Sequence, residues 1–173
     1  MPNLLHVYTG EGKGKSTAAM GLATRMLGYD KPVLIIQFMK QGNSGELTSL
    51  KKLGATVYPA PAMNKFTYQM DEEEIEQTAQ DMRDAIADMI SEIRKLQPAL
   101  TVLDELAVAI AYRMVPKDDG FRLIDAGLEF GDVVVTGRGA SPELIEKAAY
   151  VSVITPQKHP YDDGIGARKG IEW

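Results

Sequence analysis

The run Val7-Tyr8-Thr9-Gly10-Glu11-Gly12-Lys13-Gly14-Lys15-Ser16-Thr17 carries the densest chemistry in the chain. Its three glycines allow the backbone to curl so that successive N–H groups point inward. A helix starting behind them adds the positive end of its dipole. Lys15 offers a compact cation to phosphate oxygens, and Ser16 offers a hydroxyl to a magnesium ion. Such a loop is a polyphosphate cradle, so a nucleotide is expected there. The pattern departs from G-x-x-x-x-G-K-[S/T]. Aligned on Gly14-Lys15-Ser16, the first glycine position holds Thr9, the glycine follows one residue later, and a second lysine, Lys13, sits inside the loop. That departure bears on which nucleotide chemistry occurs rather than on whether a nucleotide binds.

A second cluster stands at Leu100-Thr101-Val102-Leu103-Asp104-Glu105, an apolar run ending in two acids. A carboxylate at such a strand end can hold magnesium opposite Ser16, directly or through water. In an ATP hydrolase Glu105 could also activate water. A kinase would need an acceptor site and a lid with arginines, for which Arg113, Arg122, Arg138 and Arg168 are candidates. The residues alone therefore imply a magnesium- and ATP-using protein and leave the reaction open. An ATP hydrolase, a small-molecule kinase and a non-catalytic nucleotide-binding module all remain.

The elements that must position these groups follow an alternating pattern. Leu4 to Tyr8 reads as a buried strand and Ser16 to Leu27 as a helix stopped at Gly28. Val33 to Phe38 is a continuous β-prone run, as expected of a strand covered on both faces. Gln41 to Glu46 reads as a polar loop, Leu47 to Leu53 as a short helix, and Thr56 to Tyr58 as a strand. Pro59 to Met70 is irregular. Asp71 opens the longest helix, with Glu74 placed to complete a capping box. Ile75, Ala79, Met82, Ile86, Met89 and Ile93 form its apolar stripe, and the methionines read as core filling. Ala99 to Leu103 is a strand, followed by helices to about Met114 and from about Asp118 to Phe130. Asp132 to Thr136 is a strand leading into Gly137-Arg138-Gly139. Ser141-Pro142 caps a short helix, and Val151 to Ile154 is the last strand. This is the pattern of an α/β protein with a mostly parallel sheet and helices on both faces, expected as a P-loop-like three-layer sandwich in one domain, residues 1–173. The chemical clusters all follow strands, so one crevice at the carboxyl edge of the sheet can hold them together.

Composition narrows the classes. The 173 residues include no cysteine and two histidines, which removes disulfides, thiolate zinc sites and thiol catalysis. The formal net charge of −5 disfavours broad binding to nucleic acid or anionic membranes. Met1-Pro2-Asn3 runs straight into the first strand and no apolar run approaches a membrane span of about 20 residues, so a cytoplasmic protein is expected.

Several segments together resemble the P-loop-type corrinoid (cobalamin) adenosyltransferases. They are the doubled-lysine loop Thr9 to Thr17, Gln37-Phe38-Met39-Lys40 with Gly45-Glu46, Leu103-Asp104-Glu105-Leu106, and Val135-Thr136-Gly137-Arg138. The tail segments Lys158 to Ile165 and Ala167 to Glu172 complete the match. The resemblance implies transfer of the 5′-deoxyadenosyl group of ATP to Co(I) of a corrinoid, with triphosphate leaving. It implies that ATP lies in the reverse sense to that in P-loop hydrolases. Thr9, Gly10, Glu11, Gly12, Lys13, Gly14, Lys15, Ser16 and Thr17 would then bind the nucleotide, with Glu11 standing where many members have Asn near the ribose. Lys15 would be catalytic, Ser16 and Glu105 would hold magnesium, and Arg138 would join the phosphate site. Phe66 and Tyr68 match a family pair of aromatics, Phe and Trp, that displaces the lower base from cobalt and eases reduction of Co(II). Some members carry an N-terminal helix over the site. Here the corrinoid is expected either to be less enclosed or to be covered by another segment, and Gly164, Gly166 and Gly170 would allow a mobile tail that brings Arg168 and Lys169 to phosphate or corrin side chains. An electron-donor protein or reduced flavin, and a homodimer, are the implied partners.

Overall fold

The computed structural model describes residues 2–39, 44–61, 65 and 69–172. Six parallel strands form one sheet: β1 (Leu5–Thr9), β2 (Val33–Gln37), β3 (Thr56–Pro59), β4 (Leu100–Asp104), β5 (Asp132–Thr136) and β6 (Tyr150–Val153). They lie in the order β3-β2-β4-β5-β1-β6. Six helices connect and cover them: α1 (Lys15–Leu27), α2 (Gly45–Lys52), α3 (Glu72–Leu96), α4 (Leu106–Ala111), α5 (Lys117–Leu128) and α6 (Pro142–Lys147).

Strand alternation divides the core in two. One face turns Leu5, Val7, Leu34, Ile36, Leu103, Val133 and Val135 toward α3, α4, α5 and α6. The other turns Val33, Ile35, Leu100, Val102 and Val134 toward α1 and α2. This is a three-layer α/β arrangement with helices on both faces, as the sequence implies. β2 and β4 are buried at every position, which explains their predominantly apolar sequences, whereas the edge strand β6 is exposed throughout.

Helix α3 begins as its sequence predicts. The Asp71 carboxylate accepts the Glu74 N–H at 2.8 Å, and Glu74 accepts the Asp71 N–H at 3.2 Å. Met82, Ile86, Met89, Ile90 and Ile93 form its buried stripe. Ile75 and Ala79, expected in that stripe, are only half-buried.

Other boundaries moved for identifiable reasons. The helix expected to reach Met114 stops at Ala111, because Arg113 takes a left-handed conformation (φ 61°). The Met114 and Val115 N–H groups then turn back to the Ala109 carbonyl, and both side chains are buried. At the end of α1, Gly28 stays right-handed (φ −63°), and the left-handed position falls on Asp30. Gly45 and Glu46 belong to α2 rather than to a loop, with Ser44 at its N-cap.

Because all strands are parallel, their carboxyl ends share one edge. Gln37 of β2 pairs in register with Asp104 of β4, and Tyr8 of β1 with Thr136 of β5. The loops after β1, β4 and β5 therefore converge, which places the sequence clusters side by side.

Candidate nucleotide site

The loop between β1 and α1 is shaped by contact with the segment after β6. The Gly12 N–H donates to the Ile154 carbonyl at 2.7 Å, and the Ile154 N–H donates to the Thr9 carbonyl at 2.8 Å. Gly10 is left-handed (φ 98°), and a Cβ there would lie 2.5 Å from the Ile154 oxygen. Gly14 is also left-handed (φ 119°) but has open space where a Cβ would stand. Gly10 is thus required by conformation and by space, Gly14 by conformation alone. Displacement of the first glycine to position 10 matches the residue that must pack beneath Ile154.

Lys15 is 8% exposed, and its ammonium donates to the carbonyls of Gly10 (2.8 Å) and Gly12 (2.7 Å). These bonds use two of its three donors and close the loop around the cation. Burial pulls the Lys15 pKa below the ordinary lysine value, and Arg138 adds to that, while Glu105 and Glu11 act in the opposite sense. An anion in the loop would favour the charged form. Gly14 caps α1 without a side-chain hydrogen bond, and no acid occupies the first turn of α1. The N-terminus of α1 therefore keeps its positive end for an anion. α3 contrasts with it, closing its own N-terminus with the Asp71–Glu74 box.

A cleft of about 940 Å³ opens over this loop. Glu11, Gly12, Lys13, Gly14, Lys15, Ser16 and Thr17 line one side, and Glu105 and Arg138 approach from the ends of β4 and β5. Thr9 and Gly10 do not line it. They act from beneath, through backbone contacts with Ile154. Arg138 and Glu11 form an exposed ion pair at 3.2 Å.

The two acids after β4 are not equivalent. Asp104 is fully buried, accepting from Thr136 Oγ1 at 2.7 Å and Gln37 Nε2 at 3.0 Å. Glu105 is left-handed (φ 62°), caps α4 and lines the cleft. Glu105, with Ser16, is thus the acid that could hold a cation. Among the described residues no group of three or more His, Asp or Glu side chains is arranged to bind a metal by itself. Any divalent ion here would draw most of its ligands from nucleotide oxygens and water, as magnesium commonly does.

The tail folds against the loop. Glu172 Oε1 lies 3.2 Å from Lys13 Nζ and 3.2 Å from Arg168 Nη2, and the Arg168 N–H donates to Glu172 Oε2 at 2.7 Å. Arg168 is turned into this bridge and lines a separate cavity of about 690 Å³ beside the cleft, together with Lys13, His159 and Tyr161. Lys169 lines neither cavity. Phe66 and Tyr68 lie outside the described residues, as do Lys40 to Asn43. Lys65, beside the aromatic pair, is ion-paired with Glu74 at the start of α3.

Sequence reasoning gave no individual role to five residues of the site: Gln37, Ser44, Thr136, Tyr112 and Ser49. Gln37 and Thr136, read only within longer segments, are buried and donate to Asp104, while buried Ser44 meets Gln37; these contacts become legible only once the strand order is known. Tyr112 and Ser49 enter the cleft wall without any sequence signal. Glu172 stood among the tail residues, but its partner Lys13 is 159 positions away.

A parallel α/β sheet whose first strand ends in a glycine-rich loop, with an acid at the end of β4 lining the same cleft, has the architecture of a P-loop-like domain. Within that class, the chain belongs to the ATP:corrinoid adenosyltransferase BtuR/CobO/CobP family, whose sequence profile matches residues 2–173. It is 33% identical over 178 residues to the corrinoid adenosyltransferase of Escherichia coli K12, covering 98% of this chain and 85% of that protein. It is 32% identical over 176 residues to corrinoid adenosyltransferase CobA of Salmonella typhimurium LT2, covering 98% and 85%. With the corrinoid adenosyltransferase of Pseudomonas aeruginosa PAO1 it shares 32% over 171 residues, covering 98% and 83%. No helix among the described residues is long and apolar enough to cross a membrane.

Two expectations follow from this geometry. Gly10→Ala meets backbone that cannot yield and should destabilise the protein by about 3 kcal/mol, whereas Gly14→Ala incurs only strain of about 1–2 kcal/mol. Urea denaturation of both variants measures the difference. Arg168, chiefly, holds the Glu172 carboxyl far below its ordinary 4.5, at about 2. Its folded pKa is depressed, so the bridge is intact above about pH 4.5 and is lost as pH falls toward 2. Carboxyl-carbon NMR should show that midpoint, and a Glu172→Gln variant should lack the resonance.

Proposed function

We propose that this protein transfers the 5′-deoxyadenosyl group of ATP to the Co(I) centre of a corrinoid and releases triphosphate. The observation that carries the reading is the contact between the two segments most particular to the resemblance. The doubled-lysine loop and the C-terminal tail meet through Lys13 and Glu172, beside a cleft that Lys15, Ser16 and Glu105 also line.

The electron pair on Co(I) attacks the ribose 5′-carbon as the bond from that carbon to the α-phosphate oxygen breaks. The negative charge that develops falls on the departing triphosphate. Lys15, Lys13, the inward N–H groups of the loop and the N-terminus of α1 are the groups that stabilise it. Thr9 and Gly10 shape the loop, while Glu11, Gly12, Gly14, Thr17 and Arg138 contact the nucleotide. Magnesium, held by Ser16 and Glu105, would supply further positive charge to the phosphates. The reaction needs no water-activating base, so Glu105 serves as a ligand rather than as a proton acceptor.

Phe66 and Tyr68 supply the aromatic pair that displaces the lower base, easing reduction of Co(II) by an electron-donor protein or reduced flavin. Tyr68 provides a smaller wedge than Trp and carries a hydroxyl. Arg168 and Lys169 reach phosphate or corrin side chains once the tail bridge opens. Residues 1–173 act as one domain, in the cytoplasm and as a homodimer.

Incubation with ATP, magnesium and chemically reduced corrinoid should produce the visible spectrum of an alkylcobalt product and one intact triphosphate per turnover. Orthophosphate without a spectral change would instead identify a hydrolase, and a phosphorylated acceptor a kinase. Lys15→Ala should lower turnover by at least about 100-fold, the scale of losing one preorganised charge-stabilising group. Phe66→Ala should impair turnover from Co(II) at least about tenfold more than turnover from pre-reduced Co(I). Equal losses would remove the wedge role.

A further inference from the structure

We infer that Thr136 is a positioning residue whose hydroxyl sets the Glu105 carboxylate for the divalent cation that accompanies the nucleotide. The inference rests on the proposed role of Glu105 as a cation ligand. It adds a residue that touches neither nucleotide nor cation.

Thr136 ends β5 and is fully buried. Its hydroxyl accepts the Glu105 N–H at 2.9 Å and donates to Asp104 Oδ1 at 2.7 Å. The partners lie 31 and 32 positions away in sequence. One hydroxyl therefore links the end of β5 to two consecutive residues at the end of β4. A hydroxyl can donate and accept at once, which valine, its closest isostere, cannot do. The Asp104 carboxylate also accepts from Gln37, which adjoins Ser44 at 3.3 Å. Asp104 is thereby held from β2 and from β5.

This anchoring matters because Glu105 has an uncommon backbone conformation. It is left-handed (φ 62°) although it carries a Cβ. That conformation costs about 1–2 kcal/mol and persists only where neighbouring structure demands it. The Thr136 hydroxyl takes up the Glu105 N–H in that conformation. The residue is then held on a fixed backbone at the wall of the cleft that Ser16 also lines. Without the hydroxyl, the Glu105 N–H loses this acceptor and Asp104 loses a donor, and the turn can relax toward right-handed geometry. A shift of the carboxylate by about 1 Å is enough to spoil a cation site.

The test is equilibrium binding of a fluorescent, non-hydrolysable ATP analogue, titrated with magnesium and repeated in EDTA. The full-length chain is used with T136V, T136S and E105Q. In T136V the magnesium concentration for half-maximal enhancement of binding should rise about tenfold. Affinity in EDTA should stay within about twofold of the parent, because the loop and Lys15 are untouched. T136S retains the hydroxyl and should keep the parental magnesium dependence. If T136V does not fold, T136S decides alone: parental behaviour supports the inference, and a tenfold rise overturns it. Equal losses with and without magnesium in T136V also overturn it, since they report general damage to the site. If E105Q shifts the magnesium dependence and T136V does not, the positioning role of Thr136 is wrong while the Glu105 assignment stands. If E105Q shifts nothing, the Glu105 assignment itself is wrong, and the inference falls with it.

Discussion

The arrangement of the site depends on a carboxylate that never meets solvent. Asp104 sits at the end of the central strand β4 with no exposed surface, accepting hydrogen bonds from β2 through Gln37 and from β5 through Thr136. A buried carboxylate is tolerable only where donors replace its water. Meeting that demand ties three strand ends together at the edge where the loops emerge. Charge-assisted bonds of this kind are stronger and more directional than neutral ones. Asp104 is therefore spent on structure, and its neighbour Glu105 is the acid presented to the cleft.

The phosphate loop is stabilised in a comparable way. Its lysine donates to carbonyls of its own loop, Gly10 and Gly12 lie against Ile154, and its second lysine is matched by Glu172 from the tail. Each cation already has an internal oxygen partner. A polyphosphate entering the cleft would exchange those partners for its own oxygens, so the loop is shaped in advance rather than assembled around the ligand. Preorganisation of this sort lowers the reorganisation that a developing negative charge would otherwise require.

Much of the fold was legible because burial leaves a periodic signature. The runs at Val33 and Leu100 lack the alternation of a half-exposed strand and are mostly apolar because both faces are covered. The Asp71–Glu74 box and the Ser141-Pro142 cap were readable because capping depends on residues a few positions apart. The boundary missed at the end of α4 lies where a residue without a special backbone preference takes a left-handed conformation. Arg113 does so because Met114 and Val115 are pulled into the core, a tertiary demand that no local pattern records.

The amino-acid sequence by itself determined the chemistry available: a doubled-lysine glycine loop, a hydroxyl at Ser16, a pair of acids ending a strand, and no thiol. Those properties belong to residue types and short spacings, which survive without a fold. Only the tertiary structure decided which acid faces the cleft, why the glycine stands at position 10, and that Thr136 and Glu172 belong to the site. Each of these depends on contacts with groups far away in sequence, such as Thr136 with Asp104 and Gly10 with Ile154. Hydrogen bonding and excluded volume act over a few ångströms of space, whatever the length of chain between the partners.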